Sequence, residues 1–394
     1  MNEPHISTFR HQPEKSILRG GKEFPEYNWK AEPVVTRHRI FKYFNEQRQE
    51  DILVPIHASP AIIADIGLVV ASDDGYLRFL DPPLERAYWE LQLFANVYAS
   101  LVVDQMRKRV IVATTKGIVA AFNLKGQIEW QVNLERPVFA TPAICAEFDL
   151  LSVAAFENMG FGLSLETGEV RFAASLPAPW HASLPSLPAF RNPYASPAMT
   201  ASGDTVFCSG NHVVSLDRQG EVNWQVDLGA EIKSSPVVHL GQGKVAVATV
   251  RGDLVFLGLE DGQEYARHRL DDKVTASGAV SGDHLVIGTA RGKVHCFHFA
   301  THEQVWTRNF GGPFDYTSFT LSPAGDFVAT NTDGNAMGIA ASDGSFLWET
   351  SQVLGLDDHE PGMNITPVLS QDGRMYCASY RGDLYQFTFI EHGK

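Results

Sequence analysis

Short runs of apolar, mostly β-branched residues alternate with glycine-containing turns along most of the chain. One representative stretch begins at Ser235 and reads SPVVHLGQGKVAVATVRGDLVFLGLEDGQEYARHRL, four such runs separated by turns. Runs of this length and composition, bounded by glycine and aspartate, predict β-strands joined by tight turns. The pattern therefore predicts an all-β protein.

The same sequence of four strands recurs, so the chain is built from repeats. Each copy opens on a serine or threonine, and the eight openings are Ser59, Ser100, Thr141, Ser196, Ser235, Ser277, Ser318 and Thr366. A repeat of four short strands is typical of one blade of a β-propeller.

Most copies also carry a tryptophan four residues after their last turn. These are Trp89, Trp130, Trp224, Trp306 and Trp348, with Phe172 and Ala266 at the same place in two further copies. Successive positions are 41, 42, 52, 42, 40 and 42 residues apart, which suits a four-stranded blade. We predict an eight-bladed propeller of four-stranded antiparallel blades over residues 51–394.

Two irregularities interrupt the repeat. The long interval of 52 residues contains a Pro-rich insertion at about 177–195, between the third and fourth copies. The eighth copy ends without an outer strand, whereas the N-terminal arm, residues 1–50, contains Trp29 in a strand-like context. We expect residues 26–35 to supply that outer strand and to close the ring, which removes an open sheet edge.

The repeats resemble the PQQ-like repeats of quinoprotein alcohol dehydrogenases and of the bacterial outer-membrane assembly lipoprotein. The stretches VIVATTKGIVAAFNLKGQIEW and VFCSGNHVVSLDRQGEVNW carry this resemblance, which extends over residues 55–390. It implies the propeller fold and, for function, either quinone-dependent oxidation or an interaction scaffold. Quinoprotein dehydrogenases typically have an adjacent Cys-Cys pair and acidic calcium ligands, and no Cys-Cys dipeptide occurs here. No cofactor is therefore expected, and PQQ is disfavoured.

Composition and charge narrow the class of partner. The chain is 44% hydrophobic, enough for a large core, and its net charge is −14, from 32 basic and 46 acidic residues. The first 50 residues have nine basic and seven acidic side chains, so the remainder has a net charge of −16. An acidic body of this kind argues against nucleic acid as a partner.

No membrane span or secretory signal is expected. The sequence has no run of eighteen apolar residues, and its start, MNEPHISTFRHQPEK, lacks the apolar stretch of a signal peptide. A cytoplasmic location is the expectation. The four cysteines, Cys145, Cys208, Cys296 and Cys377, are far apart in apolar runs, so we expect buried core residues and no metal site.

A first ring of candidate residues lies two positions before the residue that opens each inner strand. Its members are His57, Tyr98, Phe139, Tyr194, Lys233, Thr275, Tyr316 and Asn364. Residues at a fixed offset in each repeat surround the channel mouth, and this ring varies in chemistry. Tyrosine, histidine and lysine there suit a small polar or aromatic ligand, although tyrosines in a tapering channel can also simply fill space.

A second ring lies just before the glycine of each turn between the second and third strands. We assigned to it Asp74, Lys116, Met159, Arg251, Arg291, Asp333 and Arg381. Its four basic residues, Lys116, Arg251, Arg291 and Arg381, can hold a carboxylate or phosphate, but arginine before glycine is also an ordinary solvated turn.

Long loops on the same face add His181, Arg191 and Asp315 as further candidates. The acidic run 357–360 has metal-ligating side chains, but four adjacent residues cannot all face one ion. A solvated loop is the better interpretation.

Two functional hypotheses follow, and the chemical variety of the first ring favours the first, with the second as the alternative. The first is a redox-neutral enzyme or small-molecule binder, of lyase, cyclase, isomerase or hydrolase type. Its catalytic candidates are His57, Tyr98, Tyr194, Lys233 and Tyr316, and its substrate-binding candidates are Lys116, Arg251, Arg291, Arg381, Asn364, Asp315 and His181. The second is a scaffold that binds a protein partner on the same face. The sequence does not indicate an oligomeric state.

Overall fold

The computed structural model describes residues 16–17, 25–39, 41–63, 66–178, 195–315, 317–350, 362–363 and 365–393. Most of the Pro-rich insertion and most of the acidic loop before residue 362 lie outside these ranges.

The described residues form eight antiparallel four-stranded blades arranged in a ring, which confirms the predicted fold. The N-terminal part contributes β1 (Ser16–Ile17), β2 (Val34–Arg39) and a hairpin of β3 (Lys42–Asn45) and β4 (Glu50–Leu53). Blades 1 to 4, from the inner to the outer strand, are β5 (Ala61–Ile63), β6 (Gly67–Ala71), β7 (Tyr76–Leu80) and β8 (Ala87–Gln92); β9 (Val102–Asp104), β10 (Arg109–Ala113), β11 (Ile118–Asn123) and β12 (Ile128–Asn133); β13 (Ala143–Cys145), β14 (Leu150–Ala155), β15 (Met159–Ser164) and β16 (Val170–Ser175); and β17 (Ala198–Met199), β18 (Thr205–Ser209), β19 (His212–Leu216) and β20 (Val222–Asp227).

Blades 5 to 7 are β21 (Val237–His239), β22 (Lys244–Ala248), β23 (Asp253–Gly258) and β24 (Glu264–Arg269); β25 (Ala279–Ser281), β26 (His284–Gly288), β27 (Lys293–His298) and β28 (Gln304–Asn309); and β29 (Thr320–Leu321), β30 (Phe327–Thr330), β31 (Ala336–Ile339) and β32 (Phe346–Glu349). Blade 8 consists of β33 (Val368–Leu369), β34 (Arg374–Ala378), β35 (Asp383–Thr388) and, as its outer strand, β2. The described helical structure is a single 3-10 turn, Leu240–Gln242.

Burial within a blade follows the position of the strand. Every residue of β6, β10 and β14 is buried, because the second strand of a blade is covered on both faces by neighbouring blades. Outer strands such as β12 and β20 bury only the tryptophan side of an alternating pattern. The four cysteines are buried and unpaired, as predicted, and burial raises the pKa of the Cys296 and Cys377 thiols to about 12.

Tryptophan side chains connect consecutive blades. The indole Nε1 of Trp130 donates a hydrogen bond to the carbonyl oxygen of Leu165 at 3.1 Å, and that of Trp224 donates to Leu259 at 2.8 Å. The indole ring packs on the turn that precedes the outer strand of the following blade. At Gly168 a Cβ would come within 2.4 Å of the Trp130 ring, and the φ of 74° also favours glycine. The repeated tryptophan and glycine are therefore two halves of one blade-to-blade contact.

An N-terminal strand completes blade 8, but at a different position from the one predicted. Antiparallel β2 runs over Val34–Arg39 and pairs with β35, and Thr36, opposite Gln386, occupies the place of the tryptophan in other blades. Trp29 precedes this strand, and its carbonyl oxygen accepts the hydrogen bond of Trp348 at 3.0 Å. Closure of the ring by an N-terminal strand is confirmed, but the predicted bounds of 26–35 are wrong. Trp29 is not the outer-strand tryptophan of blade 8, and its backbone replaces the missing turn of this blade.

The junction between blades 5 and 6 reverses the usual contact. Blade 5 has Ala266 in place of the tryptophan, and blade 6 has His302, with a φ of 64°, in place of the turn glycine. The His302 ring packs on Phe256 at a centroid distance of 4.9 Å, and the Lys244 Nζ donates to His302 Nε2 at 2.8 Å. This nitrogen must be unprotonated to accept. Burial, followed by the charge of Lys244, lowers the pKa of His302 below its usual value.

This junction is expected to weaken in acid. Because the folded-state pKa of His302 is lowered, its contribution to stability is present above pH ~6.5 and is lost as the pH falls below that value. The double substitution Ala266→Trp and His302→Gly installs the contact of the other junctions. We expect the melting temperature of this variant to fall less between pH 7 and pH 5 than that of the parent protein. Because the remaining histidines are the same in both proteins, equal losses would contradict this role of His302.

Candidate functional site

The connections that enter each blade and the turns between its second and third strands share one face, here called the top face. The backbone N–H at the start of such a turn binds the carbonyl of the connection: Asp73 to Pro55 at 3.0 Å, and Thr115 to Asn96 at 2.9 Å. Equivalent bonds occur in blades 3, 5, 6 and 7. These bonds hold the residue that follows the accepting carbonyl by two positions at the channel mouth. In blades 1 and 2 this residue is His57 and Tyr98.

Just below the mouth, a ring of hydroxyl groups fixes the inner strands. The backbone N–H of Ser100 donates to Thr141 Oγ1 at 2.9 Å, that of Ser196 donates to Ser235 Oγ at 3.0 Å, and that of Ser235 to Ser277 Oγ at 2.9 Å. The recurring serine or threonine is thus explained by a buried amide of the preceding blade that needs an acceptor.

Blade 7 departs from this ring because its connection has one more residue. The N–H of Ser277 donates to the carbonyl of Thr317 instead of a hydroxyl, at 3.3 Å. The extra residue lets the Asp315 carboxylate reach the mouth, where it accepts a hydrogen bond from the Thr275 hydroxyl.

The structure places five predicted mouth residues in one ring, namely His57, Tyr98, Phe139, Lys233 and Thr275. Asp315 joins them through Thr275. The candidates His181, Tyr194, Tyr316 and Asn364 lie outside the described residues, as do Arg191 and the acidic run 357–360.

Rings at the mouth form a continuous series across blades 8, 1, 2 and 3. We call this series, Tyr380, His57, Tyr98, Phe139 and Phe156, the aromatic arc. Neighbouring centroids are 4.6, 4.6, 4.8 and 4.7 Å apart, distances typical of aromatic pairs. Tyr380 and Phe156 are not among the sequence candidates, because they lie one and three residues before the counted turn positions Arg381 and Met159.

His57 is the only histidine of the arc, and it is paired with a carboxylate. Its Nδ1 lies 3.0 Å from Asp73 Oδ1, and both side chains are partly buried. Among the described residues no hydrogen bond to Nε2 is found, so this nitrogen can face a ligand. Asp73 was also missed, since the neighbouring Asp74 was counted in its place. Asp74 is instead fixed by Arg78, whose Nη2 lies 2.6 Å away.

The second ring has mixed charge. Lys116, Arg251 and Arg291 are exposed at the tips of their turns, and Arg291 lies 3.6 Å from Asp272. Arg381 is half-buried. Blade 3 presents Glu157, not Met159, because Asn158 with a φ of 57° replaces the turn glycine.

Acidic tips therefore occur among the basic ones around the mouth, at Asp74, Glu157 and Asp333, so the predicted basic ring is weaker than the sequence count indicated. The binding role of the four basic residues remains a prediction. No group of three metal-ligating side chains occurs within the described part of the chain.

The family model of the outer membrane protein assembly factor BamB matches residues 28–214 and 209–394. The chain belongs to this family. Solved structures with the same fold include BamB from Moraxella catarrhalis, with 18% identity, a TM-score of 0.65, and coverage of 90% of this chain and 100% of that one. At these identities the similarity shows the fold alone. No curated protein matches the sequence significantly.

Two further structures extend the comparison. The computationally designed Ika8 protein has 14% identity and a TM-score of 0.60, with 86% of this chain and 97% of that one covered. A europium-containing methanol dehydrogenase has 11% identity and a TM-score of 0.63, with 89% and 93% covered. Among the described residues, no helix is long and apolar enough to cross a bilayer.

The described residues do not fit the quinone site that the resemblance implies. The four cysteines are buried singly in different blades, so none can pair across a planar cofactor. At the mouth, Tyr98 and Tyr380 are tilted by 56° and 35° from the His57 ring, which leaves no pair of parallel faces in the arc. That the protein functions without PQQ remains a prediction.

The hydroxyl ring provides a direct test of how the mouth is held. Ser235→Ala removes the acceptor of the buried Ser196 N–H, and an unsatisfied buried donor costs about 1 to 3 kcal/mol. Ser235→Thr keeps the hydroxyl, as Thr141 does in blade 3, and is the matched control. Urea unfolding should show a clear loss for alanine and a smaller one for threonine. Equal stability of the alanine variant and the parent would exclude this role.

Proposed function

We propose that the protein is a protein-binding propeller that docks a partner polypeptide on the top face of blades 8, 1 and 2. Phe94 carries this proposal. Its side chain is 75% exposed, and its φ of 54° is in the left-handed region that a bulky residue rarely adopts. Blades 4 and 6 have Gly229 and Gly311 at this position. Holding an exposed aromatic ring in a strained conformation is typical of a functional surface.

Phe94 borders an apolar groove between blades 1 and 2. The groove has a volume of about 370 Å³, and its walls include Leu91, Leu93, Ile118 and Ile128. Grooves lined by aliphatic side chains next to an exposed aromatic ring suit the apolar side chains of a partner.

Two further exposed rings belong to the connection between blades 8 and 1 on the same face. The β3–β4 hairpin is the connection from blade 8 into blade 1, and its Tyr43 and Phe44 are 53% and 55% exposed. Together with the aromatic arc, these residues give this sector of the face a concentration of rings. The mixed-charge rim around it provides polar contacts of both signs.

Membership of the matched family supports this proposal. The family model is described as that of an outer membrane protein assembly factor, a name that indicates work alongside other proteins. Rigid propellers with irregular loops on one face are suited to such a role.

Site-specific photo-crosslinking tests the proposal. With p-benzoylphenylalanine at position 94 in the native host, we expect one predominant crosslinked protein. The same probe at Val222, which is 58% exposed on the outer strand of blade 4, should give none. Phe94→Gly should abolish binding of the identified partner without lowering the melting temperature, because it relieves the strain.

Glu135→Gly is the matched control, since Glu135 has the same backbone conformation in blade 2, with a φ of 58°. It should leave partner binding intact. Equal crosslinking at positions 94 and 222, or full binding by Phe94→Gly, would overturn the proposal.

The second candidate function is binding or redox-neutral conversion of a small molecule at the mouth. The specific observation is His57, oriented by Asp73 and flanked by two tyrosine rings. In this function His57 and Tyr98 exchange protons, and Lys233 neutralises an anionic group. It predicts a small molecule that copurifies with the parent and with Phe94→Gly, but is lost from His57→Ala, as measured by native mass spectrometry. Absence of such a species from the parent counts against it.

A further inference from the structure

Blade 1 differs from the other blades by a fifth strand. The two residues of β1 pair in parallel with β5, with Ser16 opposite Ile62 and Ile17 opposite Ile63. Within the described residues, the other seven blades have four strands each. Ser16 and Ile17 therefore lie along the inner edge of one blade.

The inner edge of β5 borders the central channel. Since β5 is the innermost strand of its blade and follows the connection from the top face, it runs from the mouth into the channel. A parallel strand must run in the same direction. His57 precedes β5 by four residues, so an extended chain paired with β5 continues from the aromatic arc.

The ring does not need β1 for its architecture. Blades 2 to 8 are complete with four strands, and β2 closes the ring without any contribution from Ser16 or Ile17. The pairing is also short, and parallel pairing is slightly weaker per residue than antiparallel pairing. A two-residue strand of this kind can be replaced by another extended segment that offers the same backbone groups.

We propose that the inner edge of β5 is a strand-accepting site for an extended polypeptide, occupied in this structure by the chain's own Ser16–Ile17. The partner segment has a short aliphatic stretch flanked by basic residues. This chemistry follows the amino-acid sequence around Ser16 and Ile17, EKSILRGGK, and complements the net charge of −16 outside residues 1–50. The inference rests on the proposed function only in that the partner is a polypeptide.

Backbone hydrogen bonding makes the site testable in the full chain. The double substitution Ser16→Pro and Ile17→Pro removes both backbone N–H donors of β1, whereas Ser16→Ala with Ile17→Val keeps them. The probe is a fluorescent peptide of residues 12–22. We expect fluorescence anisotropy to show at least tenfold tighter binding to the proline variant than to the parent or the control.

Two further measurements identify the site of binding. A peptide with N-methyl groups on the residues equivalent to Ser16 and Ile17 should lose its affinity for the proline variant. Hydrogen exchange over residues 61–63 should increase in the proline variant and return to the parent level with the unmodified peptide. Equal melting temperatures of the proline variant and the control establish that the ring is intact.

Equal peptide binding by the parent and the proline variant overturns the proposal, as does undiminished binding of the N-methylated peptide. Absence of binding to the proline variant also overturns it, because an exchangeable edge must accept the segment in trans. None of these outcomes bears on crosslinking at Phe94, so failure of the strand site is distinguishable from failure of the protein-binding function.

Discussion

Each blade of the ring is held to the next by a side chain that reaches across the junction. In five junctions an indole N–H donates to a backbone carbonyl of the following blade, and the indole ring covers the turn beside that carbonyl. The indole N–H of each tryptophan has a hydrogen-bond acceptor only when the following blade is in place. The packing of the indole ring and its hydrogen bond therefore form together. The ring exists because this contact repeats around it and returns to Trp29.

Exceptions to this contact are coupled changes in both partners. Where blade 5 lacks the tryptophan, blade 6 lacks the glycine, and His302 fills the space in the opposite direction. Where blade 8 lacks its own turn, the backbone at Trp29 supplies the acceptor. The junctions therefore tolerate different residues as long as volume and hydrogen bonding are conserved between adjacent blades.

A rigid ring allows the top face to vary from blade to blade. Clamped connections and the hydroxyl ring hold the backbone of the mouth in nearly the same position, while the side chains differ. Over blades 8 to 3 the mouth is aromatic, and over blades 5 to 7 it has Lys233, Arg251, Asp272 and Asp315. A ligand with one apolar and one polar side is complementary to such a mouth, and a polypeptide segment has this character.

Repeat spacing was sufficient to predict the propeller, the number of blades and most of the mouth, because a fixed offset from a recurring serine marks the same place in each blade. It failed where the spacing changed by one residue, as in the connection to blade 7 that brings Asp315 to the mouth, and where the marker residue itself changed. In blade 3, Asn158 stands at the turn position where glycine was expected. Trp29 resembles an outer-strand tryptophan, but it precedes β2, where its carbonyl oxygen accepts the hydrogen bond of Trp348 and its ring packs on Phe389. The pairing of His57 with Asp73 and the conformation of Phe94 depend on contacts between distant segments, which spacing does not encode.

The closure of the ring by the N-terminal segment is the most direct test of this account. A chain lacking residues 1–36 loses Trp29 and half of β2, whereas a chain lacking residues 1–15 loses no described residue. The account predicts that the first deletion lowers the melting temperature by about 5 °C or more, since loss of a buried tryptophan alone costs several kcal/mol, and that the second has little effect. An unchanged melting temperature for the chain without residues 1–36 would contradict it.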